Sequence, residues 1–407
     1  EVNRRDRMQA SQSLISSPPG VLAVLCLVAG GFFLLAEKTR HKFFDYVPPL
    51  IFIYATPVLL NNLDIIPASS PIYSGLSAYA LPAFIVLMLI KVDVPAVVRV
   101  MGRGVLVMLM GTAGVVVGAV VSYLVVHRWL PDDAWKGYGA LAGSWIGGTA
   151  NLLATSEILG TSEEQVGLAV IADNIVYVVW LPLLLGSRNF ADRFNRWARV
   201  PEDRIRSMEA AAELHIEEDR APTMTEYLYL AAVVATVTWI GHALAPSLSG
   251  LIGGNIPALA PVFGETTVRI LLITTIALLL STTPVSALPN STALGTMLVY
   301  IFVAGMGARA SISGLASAPA FVAGAFIWIA IHGAFCLLGA RLFRVDVHSV
   351  AIASAANIGA AASAPIVAAH HRPSLVPVSI LMALLGYAMG NYLAPLAGTL
   401  AKLAAGQ

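Results

Sequence analysis

Long apolar runs separated by short polar stretches dominate this 407-residue chain. A bilayer-crossing helix needs about 20 mostly apolar residues. Runs of that kind fall near residues 20–36, 46–62, 75–91, 103–126 and 165–185, and again near 225–246, 267–284, 292–308, 317–340 and 375–398. The pattern predicts an all-α polytopic membrane protein with about 10 transmembrane helices. Between the last two runs of each half the texture changes. GSWIGGTANLLA (Gly143 to Ala154) and SAANIGAAASAPIVA (Ser354 to Ala368) are rich in small residues, broken by glycine and dotted with polar groups. They occupy the stretches 137–160 and 348–370 and repeat at an offset of about 212 residues. The matching order of elements in the two halves is an internal duplication. Backbone breaks are tolerated at membrane depth only where they are buried or line a cavity, so two discontinuous or re-entrant segments are expected.

The division that follows is a polar tail (1–19), a first membrane repeat (20–185), a charged linker (186–224) and a second membrane repeat (225–400). Ser187 to Pro222 holds seven arginines and eight acids, too many charges for lipid. Phe190, Phe194 and Trp197 recur there at helical spacing. They predict either an amphipathic helix on the membrane surface or a solvated linker helix. If each broken segment enters and leaves on one side, each half has five crossings and the two repeats are inverted. With the amino terminus outside, Lys38, Arg40, Lys42, Lys91, Arg99, Arg103, the seven linker arginines, Arg341, Arg344 and Arg372 share one side. Arg4, Arg5, Arg7, Arg128, Lys136, Arg269, Arg309 and Lys402 take the other. The excess places the linker in the cytoplasm. Full crossings would instead make the repeats parallel and divide the charges less cleanly.

Composition sharpens the class. Hydrophobic residues make up 57% and charged residues 12% of the chain, with a mean hydropathy of +0.79; soluble domains carry about 25% charged residues. The net charge of +1 gives no electrostatic case for nucleic acid. Cys26 and Cys336 both lie in apolar runs and read as small buried hydrophobes, not as a disulfide framework or metal site. The first residue is Glu1, so a trimmed or processed start is expected. A bacterial cytoplasmic membrane is the expected compartment, with a plastid membrane as the alternative.

The candidate chemistry centres on the broken segments. Gly147, Gly148 and Gly359 interrupt helix; the N–H groups of a helix break suit an anion, and its carbonyls suit Na⁺. Ser144, Thr149, Asn151, Asn357 and Ser363 add oxygens that suit a hard cation. Asp173, with Asn174 beside it, lies within the span after the first break. An intramembrane acid is costly and marks function by default, unless it faces water or pairs structurally. The expected ion-binding set is Asp173, Asn174, Thr149, Asn151 and Asn357. The expected solute-binding set is Ser144, Gly147, Gly148, Gly359, Ser363 and Asn391. Gly143, Gly147, Gly148 and Gly359 serve equally well as close-packing residues between helices. Glu157, Glu163 and Glu164 read as a solvated rim. Asn290 and Asn391 either line the site or bond a neighbouring helix, and His242 and His332 read as structural hydrogen bonders. No cofactor is expected beyond a bound Na⁺, and no GxxxxGK[ST] or HExxH motif occurs.

GSWIGGTANLLA, the ADN of Ala172 to Asn174, SAANIGAAASAP and LLGYAMGNYLA (Leu384 to Ala394) together resemble the integral-membrane family called domain of unknown function 819, across residues 20–400. That family is grouped with the cation/proton antiporters and anion transporters, including bile acid:sodium symporters. The resemblance implies a panel, or scaffold, domain that dimerises and a core, or transport, domain with two discontinuous helices at 143–154 and 354–368. It also implies an elevator-like motion of the core, and it matches Asp173 to the acid on the helix after the first discontinuous one. Antiporter relatives carry Asp-Asp or Asn-Asp at that place, whereas Asp173 is followed by Asn174.

The expected function is secondary active transport of a small organic solute, anionic or zwitterionic, coupled to Na⁺ or H⁺, through a homodimer in the lipid bilayer. A cation/proton antiporter without an organic substrate is the alternative. An intramembrane enzyme lacks a second acid to pair with Asp173, and nothing in the sequence places Ser144 beside His332.

Overall fold

The computed structural model describes residues 13–39, 49–201, 221–256, 260, 263–310 and 318–407. Fifteen helices organise those residues. The first group is α1 (Pro18–Thr39), α2 (Pro49–Asn62), α3 (Pro71–Leu89, with a π-helical turn at Leu76–Ala80) and the short α4 (Val94–Met101). Then come α5 (Arg103–Val126), α6 (Ala134–Leu159), α7 (Glu163–Gly186) and α8 (Ala191–Ala198). The second half has α9 (Met224–Asn255), α10 (Glu265–Leu280), α11 (Ser291–Arg309), α12 (Ala318–Phe343), α13 (Val347–Ile358), α14 (Ala360–His371) and α15 (Val376–Ala404). No strand occurs among the described residues.

Eight described helices are long and apolar enough to span a bilayer, so the chain is an integral multi-pass membrane protein. Each of the ten expected runs contains a described helix; the described part of α2 has 14 residues, and α10 has 16. At 1.5 Å per residue, α10 reaches about 24 Å, short of a hydrocarbon core of about 30 Å. Local signals set several ends. Ser162 caps α7, and Glu163 and Glu164 fill its first turn, where acids complement the helix dipole. Thr223 and Glu226 close a capping box on α9. Gly160 ends α6 at φ 58°, a left-handed stop suited to glycine. The expected linker helix appears as α8, with Phe190 and Trp197 exposed; residues 202–220 of the linker lie outside the described ones.

Both broken segments are re-entrant hairpins. In α6 the helix breaks at Gly147 (φ −144°, ψ 18°) and Gly148 (φ 76°, ψ −174°), and its second half folds back along the first. A methyl group added at Gly143 would lie 2.6 Å from the Asn151 carbonyl oxygen, and one at Gly139 would lie 2.3 Å from Leu159. The mouth is tied by Lys136 Nζ, which donates to the Gly160 carbonyl at 3.0 Å. The α13–α14 pair does the same around Gly359: His348 Nδ1 and His371 Nδ1 stand 3.0 Å apart at its mouth. Each arm, with 12 or 13 residues, reaches about 20 Å, roughly half a bilayer.

The two mouths lie at opposite ends of α7. That helix starts at Glu163, beside the first mouth, and runs 24 residues, about 36 Å. It ends where His371 Nε2 meets the Leu184 carbonyl at 2.9 Å, at the second mouth. Small residues make the tight packing around the hairpins possible. Gly118 of α5 sits under Trp328 of α12, whose Nε1 donates to the Val115 carbonyl at 2.7 Å. The Gly386–Gly390 face of α15 receives Ile146 and Asn151 of α6. Two helix sets result: α5, α6, α7 and α12–α15 around the hairpins, and α1–α3 with α9–α11 beside them.

The hairpin geometry predicts sidedness. In a Cys26→Ser, Cys336→Ala background, Asp133→Cys and Thr161→Cys should react with an impermeant maleimide from the same face. Arg344→Cys and Ser374→Cys should react only from the other. Labelling of positions 133 and 161 from opposite faces would mean that α6 crosses fully.

Candidate functional site

The hairpin tips meet in the middle of the helix bundle. A Cβ added at Gly148 would stand 2.8 Å from the Ala360 Cβ, so only glycine lets the first tip pass the second. Its φ of 76° is also a conformation glycine adopts freely. Ala360 itself holds φ 47°, an uncommon angle for a residue with a Cβ. The chain is therefore forced through both breaks by packing on every side.

Beside the tips lies a cavity of about 510 Å³. Ser144, Gly148 and Thr149 of α6, Asp173, Asn174 and Tyr177 of α7, and Gly359 and Ala360 of the second hairpin form one wall. Leu50, Met88, Thr296 and Tyr300, from α2, α3 and α11, form the other. Asp173 stands ten residues into α7, about 15 Å from its start. Ser144 Oγ donates to Asp173 Oδ2 at 2.6 Å, and Trp145 Nε1 donates to Oδ1 at 2.9 Å. Trp145 is fully buried and packs on Trp328 at 4.8 Å between ring centroids, which Val115 anchors in turn. The carboxylate is thus held by a rigid aromatic pair and by a hydroxyl that can either donate or accept. Among the described residues lining the cavity, none is Lys or Arg. The second arm of α6 starts at this wall, and α14 starts there with no side-chain cap; the first N–H groups of a helix have no intrahelical partner.

A second cavity of about 750 Å³ shares Tyr177 and Ile366 with the first and continues to Asn189 and His370, at the second hairpin's mouth. The opposite end is held shut. Arg309 of α11 pairs with Glu163 at 3.0 Å, Ser77 Oγ donates to Glu157 Oε1 at 2.7 Å, and Tyr54 Oη donates to the Glu163 carbonyl at 2.8 Å. Glu157 and Glu163, expected as a solvated rim, bridge the two helix sets.

Of the expected site residues, Asp173, Asn174, Ser144, Gly148, Thr149 and Gly359 line the main cavity. The others have different work. Asn151 turns into α15, donating to the Tyr387 carbonyl at 3.0 Å. Asn357 donates to the Met108 carbonyl at 3.1 Å and accepts from Thr112 at 3.3 Å, tying its hairpin to α5. Gly147 packs on the Gly386 carbonyl, Ser363 donates to the Ala355 carbonyl across its hairpin, and Asn391 donates to Thr274 of α10 at 2.9 Å. His332 bonds Gly111 and Ser354 at 2.9 Å each, as expected of a structural histidine. Trp145, Tyr177 and Tyr300 escaped the sequence reading. A tryptophan beside a polar residue in a glycine-broken run was the available signal, since a buried indole N–H needs an acceptor.

Two substitutions test this construction. Gly148→Ala should lower stability by about 1–3 kcal/mol through overpacking and φ strain. Trp145→Phe should lower it by about 1–3 kcal/mol by stranding Asp173 Oδ1, and by less when Asp173→Asn is already present. Unfolding in mixed micelles measures both.

The family model described as "Protein of unknown function (DUF819)" matches residues 23–403. The chain is also 26% identical over 401 residues to the "Uncharacterized membrane protein YjcL" of Bacillus subtilis (strain 168). That alignment covers 95% of this chain and 98% of the relative. With a match over nearly its whole length, the chain belongs to the DUF819 family of membrane proteins.

Proposed function

We propose that this protein is a secondary active transporter that moves a small organic solute, anionic or zwitterionic, with Na⁺ or H⁺. The observation that carries this reading is the cavity at the hairpin tips. It lies about halfway along α7, is lined by one acid among the described residues, Asp173, and adjoins a passage to one end while polar contacts bridge the helices at the other. Alternating access needs such a one-sided site. The start of α14, which has no side-chain cap, presents helix N-terminal N–H groups that suit a carboxylate or another small anion. Asp173 supplies a charge for the cotransported ion to neutralise before the site crosses a low-dielectric layer.

Hairpins opening from opposite ends of α7 favour inverted repeats. The helix set around the hairpins (α5–α7 and α12–α15) is the candidate moving core, and α1–α3 with α9–α11 the candidate panel and dimer surface. Arg103, Arg188, Arg341, Arg344 and Arg372 at the second mouth favour a cytoplasmic orientation for that end. An enzymatic reading loses support because both ring nitrogens of His332 are engaged away from Ser144.

Proteoliposomes with imposed Na⁺ or pH gradients should accumulate one member of a panel of carboxylates and zwitterions. Asp173→Asn should abolish gradient-driven accumulation while leaving solute exchange measurable. If no solute moves but external cations dissipate a pH gradient through the wild type alone, the cation/proton antiporter reading replaces this one. If neither flux occurs, the transporter reading falls.

A further inference from the structure

The second cavity, about 750 Å³ in volume, is a groove between α7 and α14. From Tyr177 to Gly186 it follows α7 for about 14 Å. That is close to the depth of one leaflet of a hydrocarbon core about 30 Å thick. Along this length the wall is hydrocarbon, from Val178, Leu181, Pro182 and Leu185 of α7 and Ile366 of α14. Val178 and Ile366 are exposed, so the open side of the groove faces the surroundings of a membrane-spanning helix. The end of the groove beyond Gly186 is polar and basic. Asn189 and His370 line it, and Arg188 Nη1 donates to the His370 carbonyl, which sets a guanidinium at the rim. A guanidinium carries five N–H donors, and this contact takes one. The α8 helix is docked beside the same rim. The Val347 amide donates to Asn195 Oδ1 at 3.1 Å, and Phe194 packs against the buried cluster of the hairpin set. Phe190, Arg193 and Trp197, three and four residues apart, share another face of this segment, and all three are exposed. Arg188 to Arg199 holds four arginines and one acid, Asp192.

These facts select the occupant. An apolar groove one leaflet deep and open to the bilayer fits an acyl chain. Exposed aromatic side chains such as Trp197 belong at the depth of the headgroups. Arginines gathered at that depth suit a phosphate, which a guanidinium can bind through two hydrogen bonds at once. The excess of arginine over acid favours a headgroup with a net negative charge over one that carries its own cation. We infer that the groove between α7 and α14 binds an anionic phospholipid, with one acyl chain along Val178 and Ile366 and the phosphate held by Arg188 and Arg193. Bound there, the lipid closes the bilayer side of the groove and ties the end of α7 to the second hairpin and to α8. The inference rests on the membrane fold and not on the transport reading.

The test is native mass spectrometry of the purified protein in detergent, with phosphatidylglycerol and phosphatidylcholine of the same acyl chains supplied in equal amounts. Wild type should retain phosphatidylglycerol in preference. Arg188→Gln and Arg193→Gln should each cut that preference about fivefold, the factor one arginine contributes near an anionic membrane surface, and should leave retention of phosphatidylcholine unchanged. Val178→Trp, whose added bulk lies on the open side of the groove, should fill it and reduce retention of both lipids. If Arg188→Gln does not fold, Arg193→Gln supplies the readout. Equal retention of the two lipids by wild type would overturn the inference, as would a preference that neither arginine variant changes. A preference lost in the arginine variants but untouched in Val178→Trp would put the phosphate on α8 with no chain in the groove. That result would leave the groove to the solute and overturn the inference as well.

Discussion

A helix that breaks halfway across a bilayer leaves amide and carbonyl groups without partners, and hydrocarbon offers none. The architecture of this protein follows from burying two such breaks against each other. Gly148 makes it possible: with no Cβ, and at φ 76°, it lets one hairpin tip pass within contact of Ala360 on the other. Once the tips meet, the arms of each hairpin are fixed, and with them Ser144 and Trp145 on the first arm. Those two side chains hold the Asp173 carboxylate. The cavity, the placement of the acid and the uncapped start of α14 all sit around that one close approach.

The same constraint explains why so much of the surroundings is built from small residues. Glycines 139, 143, 386, 390 and 398 are placed where α15 and the two arms of α6 lie nearly backbone to backbone. In lipid, such packing replaces the hydrophobic drive that holds soluble helices together. Contacts between the two helix sets are of another kind. They include single polar links, Arg309–Glu163, Ser77–Glu157, Tyr54–Glu163 and Asn391–Thr274. Links of that kind can be exchanged without unpacking a core, as the proposed movement of one set past the other would require.

The helices were legible in the sequence because membrane spans declare themselves by length and apolarity. Both breaks were legible because each carries glycine and asparagine in an otherwise apolar run: Gly147-Gly148 with Asn151, and Gly359 with Asn357. Asp173 stood out as an acid among apolar residues, and six of the expected site residues do line the cavity. The re-entrant path was one alternative among several, since nothing local to Gly147-Gly148 says whether the chain continues or turns back; α15 and α5 pack around the hairpins that result. Asn151 and Asn357, expected among the ion ligands, turn away from the main cavity for a related reason. A polar side chain at membrane depth must find a partner, and theirs were the backbone carbonyls of Tyr387 and Met108, more than 200 residues away. Trp145 was hidden by its apolar look, although its indole N–H fixes the acid.

In the proposed transport cycle the cavity between the hairpin tips opens to one face of the membrane at a time. The direct measurement is the reaction of Thr149→Cys, in the Cys26→Ser, Cys336→Ala background, with an impermeant thiol reagent in right-side-out and inside-out vesicles. At rest the cysteine should react from the face carrying Arg188 and His370 and be protected from the other. Under an imposed ion gradient with solute present, reaction from the opposite face should rise as the first falls. Simultaneous reaction from both faces, or protection from both under every condition, would contradict the account.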